Sequence, residues 1–167
     1  MTLPTTDRTR TFTWSDPLAT AAAARSMNGL EAIRAVMSGE LPAPPIAEML
    51  GMTITDVERG RVVFSLEPAE WMYNPIGSVH GGIAATILDS ALGCSVHTTL
   101  DAGVAYTTSD LQVRYVRAMS ADTGPVLCES RVVHRGRRLA TAEGRLFAAE
   151  DPERLFAHGS TSCMILS

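Results

Sequence analysis

The run Val79–Val96, VHGGIAATILDSALGCSV, constrains this chain more than any other segment. Apart from His80 at its start and Asp89 at its middle, it is apolar, small or weakly polar. Gly81 and Gly82 open it, and Ile83, Ala84, Ala85, Ile87, Leu88, Ala91 and Leu92 follow without leaving a polar face. The spacing predicts a helix that must be enclosed on most of its sides. It is near the lower length for a membrane span, but a central carboxylate, glycines and hydroxyls oppose insertion. One sheet can enclose such a helix only by wrapping around it, and the side left over calls for a second subunit. Ala84, Ala85, Ala91 and Gly93 let strands or a partner helix approach closely.

The flanking sequence supplies strands for that sheet. Met52–Val57 and Arg61–Leu66 are β-type runs on either side of a turn at Glu58-Arg59-Gly60. Four more follow the helix: Val104–Arg117, Val126–His134, Leu139–Ala149 and Leu155–Leu166. Alternation is clearest where Leu111, Val113 and Tyr115 oppose Asp110, Gln112 and Arg114. The separators are short and turn-like, so consecutive strands are expected to be antiparallel neighbours. The order β-β-α-β-β-β-β reads as an α+β domain: one long helix and a curved antiparallel sheet.

Ahead of it, residues 1–15 form a polar leader. Asp16-Pro17 starts a short alanine-rich helix, and Asn28 with Glu31 reads as a capping box opening a second. Leu30, Ile33 and Met37 are its expected apolar face and Gly39 its stop. We therefore divide the chain into a leader and helical appendage, 1–45, and a sheet-and-helix domain, 46–167. Nothing in the appendage suggests chemistry.

At 167 residues the chain is one domain in size, and a net charge of −4 gives no reason to expect nucleic acid. Cys94, Cys128 and Cys163 lack metal-ligand spacing and suit free thiols in a reducing compartment. No secretory h-region is visible at the start, so the reading is a soluble, cytoplasmic protein. G-x-S-x-G, HExxH, P-loop and GxGxxG patterns are all missing.

The segment NPIGSVHGGIAATILDSALG resembles the hotdog-fold acyl-CoA thioesterases, in the branch of 4-hydroxybenzoyl-CoA and phenylacetate-pathway (PaaI-like) enzymes. The matching positions are Asn74, Gly77, His80, Gly81, Gly82 and Asp89. The resemblance implies a hotdog fold and hydrolysis of an acyl- or aryl-CoA to free acid and CoA. It implies no metal or redox cofactor, CoA being part of the substrate, and a homodimer at minimum, with dimers pairing into tetramers. It places Asn74 and His80 in the site and Thr108 on the strand that lines it. It also brings the hairpin arginines Arg135, Arg137 and Arg138, with Arg117 and Gly82, toward the coenzyme.

The chemistry can be followed from the residues. Thioester hydrolysis needs a donor for the developing oxyanion and an acid residue that attacks or deprotonates water. A helix start at Gly81-Gly82 offers free amide hydrogens and a favourable dipole. Asp89 lies eight residues on, ~12 Å of helix rise, too far to share one small carbonyl with Gly81 of its own chain. Two helices antiparallel about a twofold axis would bring Asp89 of one chain to Gly81 of the other. Plainer readings stand beside these. His80-Gly81-Gly82 is also a tight turn into a helix, and Asp89 a buried capping carboxylate. Asn74 and His80 equally suit a role in satisfying their loop, Thr108 reads also as an ordinary strand residue, and the arginines as a solvated hairpin tip. A non-catalytic acyl-CoA-binding module on the same fold is the alternative function. A hydratase would need an Asp–His dyad, and the position six before His80 is Asn74. Trp71, Met72, Tyr73 and Ile76 are expected to shape the acyl site.

Overall fold

The computed structural model describes residues 7–166. Three short helices, α1 (Pro17–Ala24), α2 (Gly29–Ser38) and α3 (Pro45–Leu50), precede strands β1 (Thr53–Glu58) and β2 (Arg61–Leu66). The long helix α4 (Gly81–His97) follows, then β3 (Ala105–Tyr115), β4 (Val126–Arg135), β5 (Leu139–Ala148) and β6 (Asp151–Leu166). The first six residues of the leader and Ser167 lie outside the described residues.

The strands form one antiparallel sheet in the order β1-β2-β4-β5-β6-β3. Consecutive strands are neighbours for β1–β2 and for β4–β5–β6, as expected. They are not for β3 and β4, which the sequence reading made adjacent. After α4 crosses the sheet, β3 lands at the far edge beside β6, and the segment with the turn Ala121–Thr123 carries the chain back to β4. β6 also begins at Asp151, four residues before its expected start. The ladder absorbs this through irregularities at Leu146, Phe147 and Ala148.

The sheet curves around α4, which packs against β2, β3, β4, β5 and β6. Ile87, Leu88, Ala91, Leu92 and Val96 are fully buried, each large side chain contributing about 1.5–3 kcal/mol by leaving water. Close approach depends on two glycines paired across β5 and β6, Gly144 and Gly159. A Cβ on Gly144 would come within 3.3 Å of Leu92 and 3.4 Å of Leu88, so the leucines sit directly over bare backbone. Ser130 of β4 donates a 2.6 Å hydrogen bond to the Ala91 carbonyl, tying helix to sheet.

The appendage is docked on this body. Asn28 Oδ1 accepts from the Glu31 N–H, Glu31 Oε2 accepts from the Asn28 N–H, and Gly39 ends α2 in a left-handed conformation. The buried face of α2 centres on Ala32, Ile33 and Ala35 rather than on Leu30, Ile33 and Met37; Met37 is 41% exposed. The difference is a rotation of the helix that brings its small residues down onto the core. The Gly29 N–H donates to the Leu100 carbonyl at 3.0 Å, fastening the start of α2 to the end of α4. Arg10 stacks over Trp71 at 3.6 Å and Arg8 pairs with Glu70, strapping the leader across the turn before α4. Among the described residues no helix is long and apolar enough to cross a membrane.

Candidate functional site

The loop before α4 is built on Asn74. Its Oδ1 accepts from the Ile76 and Ser78 N–H groups at 3.0 and 3.2 Å, and its Nδ2 donates to Ser78 Oγ at 3.1 Å. These bonds engage the side chain as the organiser of the turn, which Gly77 completes at φ +84°. His80 caps the helix: its Nδ1 accepts from the Gly82 N–H at 2.8 Å, and its own N–H donates to the Met72 carbonyl. The Gly82 amide is thereby occupied. The Gly81 N–H has no acceptor among the described residues and lies at the positive end of the α4 dipole.

Gly81 faces Tyr115 of β3, whose hydroxyl donates to the Gly81 carbonyl at 3.2 Å. A Cβ at Gly81 would meet that ring at 3.1–3.3 Å, so a larger residue would push Tyr115 away. Val79, Tyr115, Arg117 and Met119 line a hollow of about 300 Å³ here. Sequence reasoning saw Tyr115 only as an alternating strand residue; its contact with the helix start is a product of β3 crossing beneath α4.

Asp89 opens elsewhere. It is half-buried, and Thr108 of β3 donates to its Oδ1 at 3.0 Å. Both line an apolar cavity of about 600 Å³ with Gly93, Cys94, His97 and Tyr106. Desolvation, with the Asp89 charge adding, pushes the Cys94 thiol up to about 12, so it stays protonated and is a poor nucleophile at neutral pH. Burial likewise raises Tyr106 and lowers His97, keeping both neutral. The polar end of the cavity thus carries the Asp89 carboxylate beside neutral groups.

The arginines divide. Arg135, Arg137 and Arg138 stand exposed at the β4–β5 tip, Arg135 bonding back to the Gly136 carbonyl. Arg135 pairs with Ala140, Ala140 with Cys163 and Cys163 with Thr108, so the tip lies three strands, ~14 Å, from the threonine that holds Asp89. Arg117 is at the other end of β3, beside Gly81. Within one chain, therefore, Asp89, Thr108 and the hairpin arginines share one end of the sheet, and Gly81, Gly82, His80, Asn74 and Arg117 share the other.

Trp71, Met72, Tyr73 and Ile76 do not line the Asp89 cavity. Trp71 lies under Arg10, Met72 is in the core, the Tyr73 hydroxyl accepts from the Ala121 N–H, and Ile76 is 87% exposed. The far wall comes instead from α1 and α2, which the sequence had shown only as an appendage, and from α3.

A family model described as the thioesterase superfamily matches residues 76–154. A candidate esterase of Halobacterium salinarum is 33% identical over 103 residues, covering 59% of this chain and 66% of that protein. A 1,4-dihydroxy-2-naphthoyl-CoA hydrolase of Listeria monocytogenes is 23% identical over 92 residues, covering 55% and 73%. Among solved structures, a phenylacetic acid degradation-related protein of Ralstonia eutropha superposes with TM-score 0.71 at 28% identity, over 79% of this chain and 98% of that one. The E. coli PaaI protein superposes with TM-score 0.71 at 18% identity, covering 86% and 96%, and shares the fold. With a glycine-started helix wrapped by a six-stranded antiparallel sheet, the chain has a hotdog fold, and across α4 and the strands after it, residues 76–154, it is similar to the thioesterase superfamily.

Proposed function

We propose that this protein hydrolyses acyl-CoA thioesters at sites shared by two copies of the chain. The observation that carries this reading is the Asp89 carboxylate, held by Thr108 at the polar end of a large apolar cavity. Gly81 supplies what Asp89 cannot, an amide hydrogen at a helix start without an acceptor among the described residues. The two open onto different cavities and lie ~12 Å apart along α4, so one thioester cannot reach both in a single chain. A twofold pair with antiparallel central helices meets both needs.

The thioester oxygen accepts from the Gly81 N–H of one subunit, and Asp89 of the partner acts on the carbonyl carbon. As general base it takes a proton from water while the water oxygen attacks; the C–S bond then breaks and the proton passes to the departing thiolate. As nucleophile it forms an acyl anhydride with loss of the CoA thiolate, and water cleaves the anhydride to acid and free Asp89. Both routes consume one water and release acid and CoA, with CoA entering only as part of the substrate. Thr108 keeps Asp89 oriented; His80 and Asn74 hold the helix start in place. Arg135, Arg137 and Arg138, with Arg117 across the interface, suit the phosphates of CoA. A homodimer is the minimum assembly, and pairing of dimers into a tetramer follows the same resemblance. Three free thiols fit work in the reducing cytoplasm.

Two variants test the shared site. Asp89→Asn removes the acid and should abolish release of free thiol from acyl-CoA; near-normal turnover removes Asp89 from the mechanism. Gly81→Ala, which adds a Cβ against the Tyr115 ring but keeps the amide hydrogen, is the control. Gly81→Pro adds the same contact and also deletes the amide hydrogen at the first helical position, where proline is favoured and His80 already has the extended conformation it demands. The proline variant should lower kcat about 10²–10³-fold relative to that control. Unfolding and refolding Asp89→Asn and Gly81→Pro together at equal amounts should restore about a quarter of wild-type activity, since half of the dimers then carry one intact site of two. Mixed dimers that recover nothing would refute the shared site.

A further inference from the structure

We infer that α1 and α2 cap the acyl end of the site and select an extended apolar acyl chain over a short one, an inference that rests on the thioesterase reading above. The cavity that begins at Asp89 and Thr108 ends on the face of α1 made by Pro17, Thr20, Ala21 and Ala24, and on Val36 and Met37 of α2. The α1 positions are spaced i, i+3, i+4, i+7, one stripe of a helix. Yet α1, sequence PLATAAAA, buries none of its residues. A helix without a polar face normally packs against protein. This one turns its stripe toward open space continuous with the reacting carboxylate, and its side chains are short enough to keep that space open.

The occupant follows from volume and chemistry. At about 600 Å³ the cavity is about twenty times the share of one liquid water and lies within the usual range for small-molecule sites. An acetyl group at Asp89 would leave nearly all of it unfilled. An unbranched chain whose carbonyl meets Asp89 would run toward the α1 stripe and exclude water along its length. Each methylene so buried should raise kcat/KM about fourfold until the space is full.

The experiment compares kcat/KM for decanoyl-CoA and acetyl-CoA in the wild type and in Ala21→Trp and Ala22→Trp. Ala21 lines the cavity; Ala22, next along α1 and likewise exposed to solvent, does not. The wild type should favour decanoyl-CoA by at least about 100-fold, well within what the added methylenes can supply. Ala21→Trp should lower that ratio tenfold or more, while Ala22→Trp keeps it. Equal rates for the two substrates, or equal effects of the two variants, overturn the cap. If no acyl-CoA is cleaved, the thioesterase reading fails, and binding of the uncleavable thioether S-decyl-CoA decides the cap by itself. Binding tenfold weaker in Ala21→Trp than in Ala22→Trp sustains it; equal binding overturns it.

Discussion

Replacing Gly29 by alanine tests whether the docking of α2 sets the geometry of the cavity. Gly29 starts α2 against the end of α4, and an added Cβ would lie 1.7 Å from the His97 carbonyl oxygen and 2.5 Å from its carbon. Both are backbone atoms, so no rotamer relieves the clash. Ordinary contact begins at 3.4 Å, so α2 must retreat by 3.4 − 1.7 = 1.7 Å. That is enough to break the 3.0 Å bond from the Gly29 N–H to the Leu100 carbonyl. Overpacking costs about 1–3 kcal/mol and the lost hydrogen bond about 1. Alanine's better helix propensity returns at most about 1 kcal/mol, so the clash wins. The net loss of about 1–3 kcal/mol should lower the melting temperature by roughly 2–12 °C in calorimetry. Because Val36 and Met37 move with α2, the decanoyl-to-acetyl ratio of kcat/KM should fall as well. Gly39→Ala is the control: at φ +80° with nothing within 4 Å of an added Cβ, it costs about 1–2 kcal/mol of backbone strain and should leave the ratio alone. A Gly29→Ala protein that melts like the wild type would refute the steric argument. One that melts early with an unchanged ratio would refute the link to selectivity.

Further outcomes concern the site and its surroundings. Thr108→Val keeps the shape but removes the donor to Asp89; a hydrogen bond to a charged group is worth about 1.5–3 kcal/mol, so kcat should drop about 10–100-fold, read by thiol release. Alanine at Arg135, Arg137 and Arg138 together should raise KM for acyl-CoA, weaken its salt dependence and leave kcat near wild type, as steady-state assays at two ionic strengths would reveal. Burial lowers the His97 pKa below its usual 6.5, so the fold prefers the neutral ring. The unfolded chain then binds the extra proton first, and stability should decline as pH falls below about 6.5. His97→Phe, beside the Tyr106 ring at 5.4 Å, should flatten that decline in urea titrations run from pH 7 to 5.

What the sequence determined by itself was local or periodic. A helix without a polar face between Val79 and Val96 required a wrapping sheet, and the Asn28–Glu31 capping box formed where its spacing placed it, because both depend on neighbours within a turn or two. Gly81 and Asp89 could be singled out for the same reason, since their spacing along one helix fixes their separation, whereas Asn74 and His80 were marked by the family resemblance. Only the tertiary structure decided that β3 lies beside β6, that Tyr115 meets Gly81, and that Thr108 meets Asp89. It likewise put α1 and α2 over the cavity and left Trp71 and Ile76 outside it. Periodicity shows which face of a segment seeks burial, but not which distant surface will cover it. That choice was made by the fit of Gly29 against His97 and of Leu88 and Leu92 over Gly144, contacts that exist only once the sheet has curved around the helix.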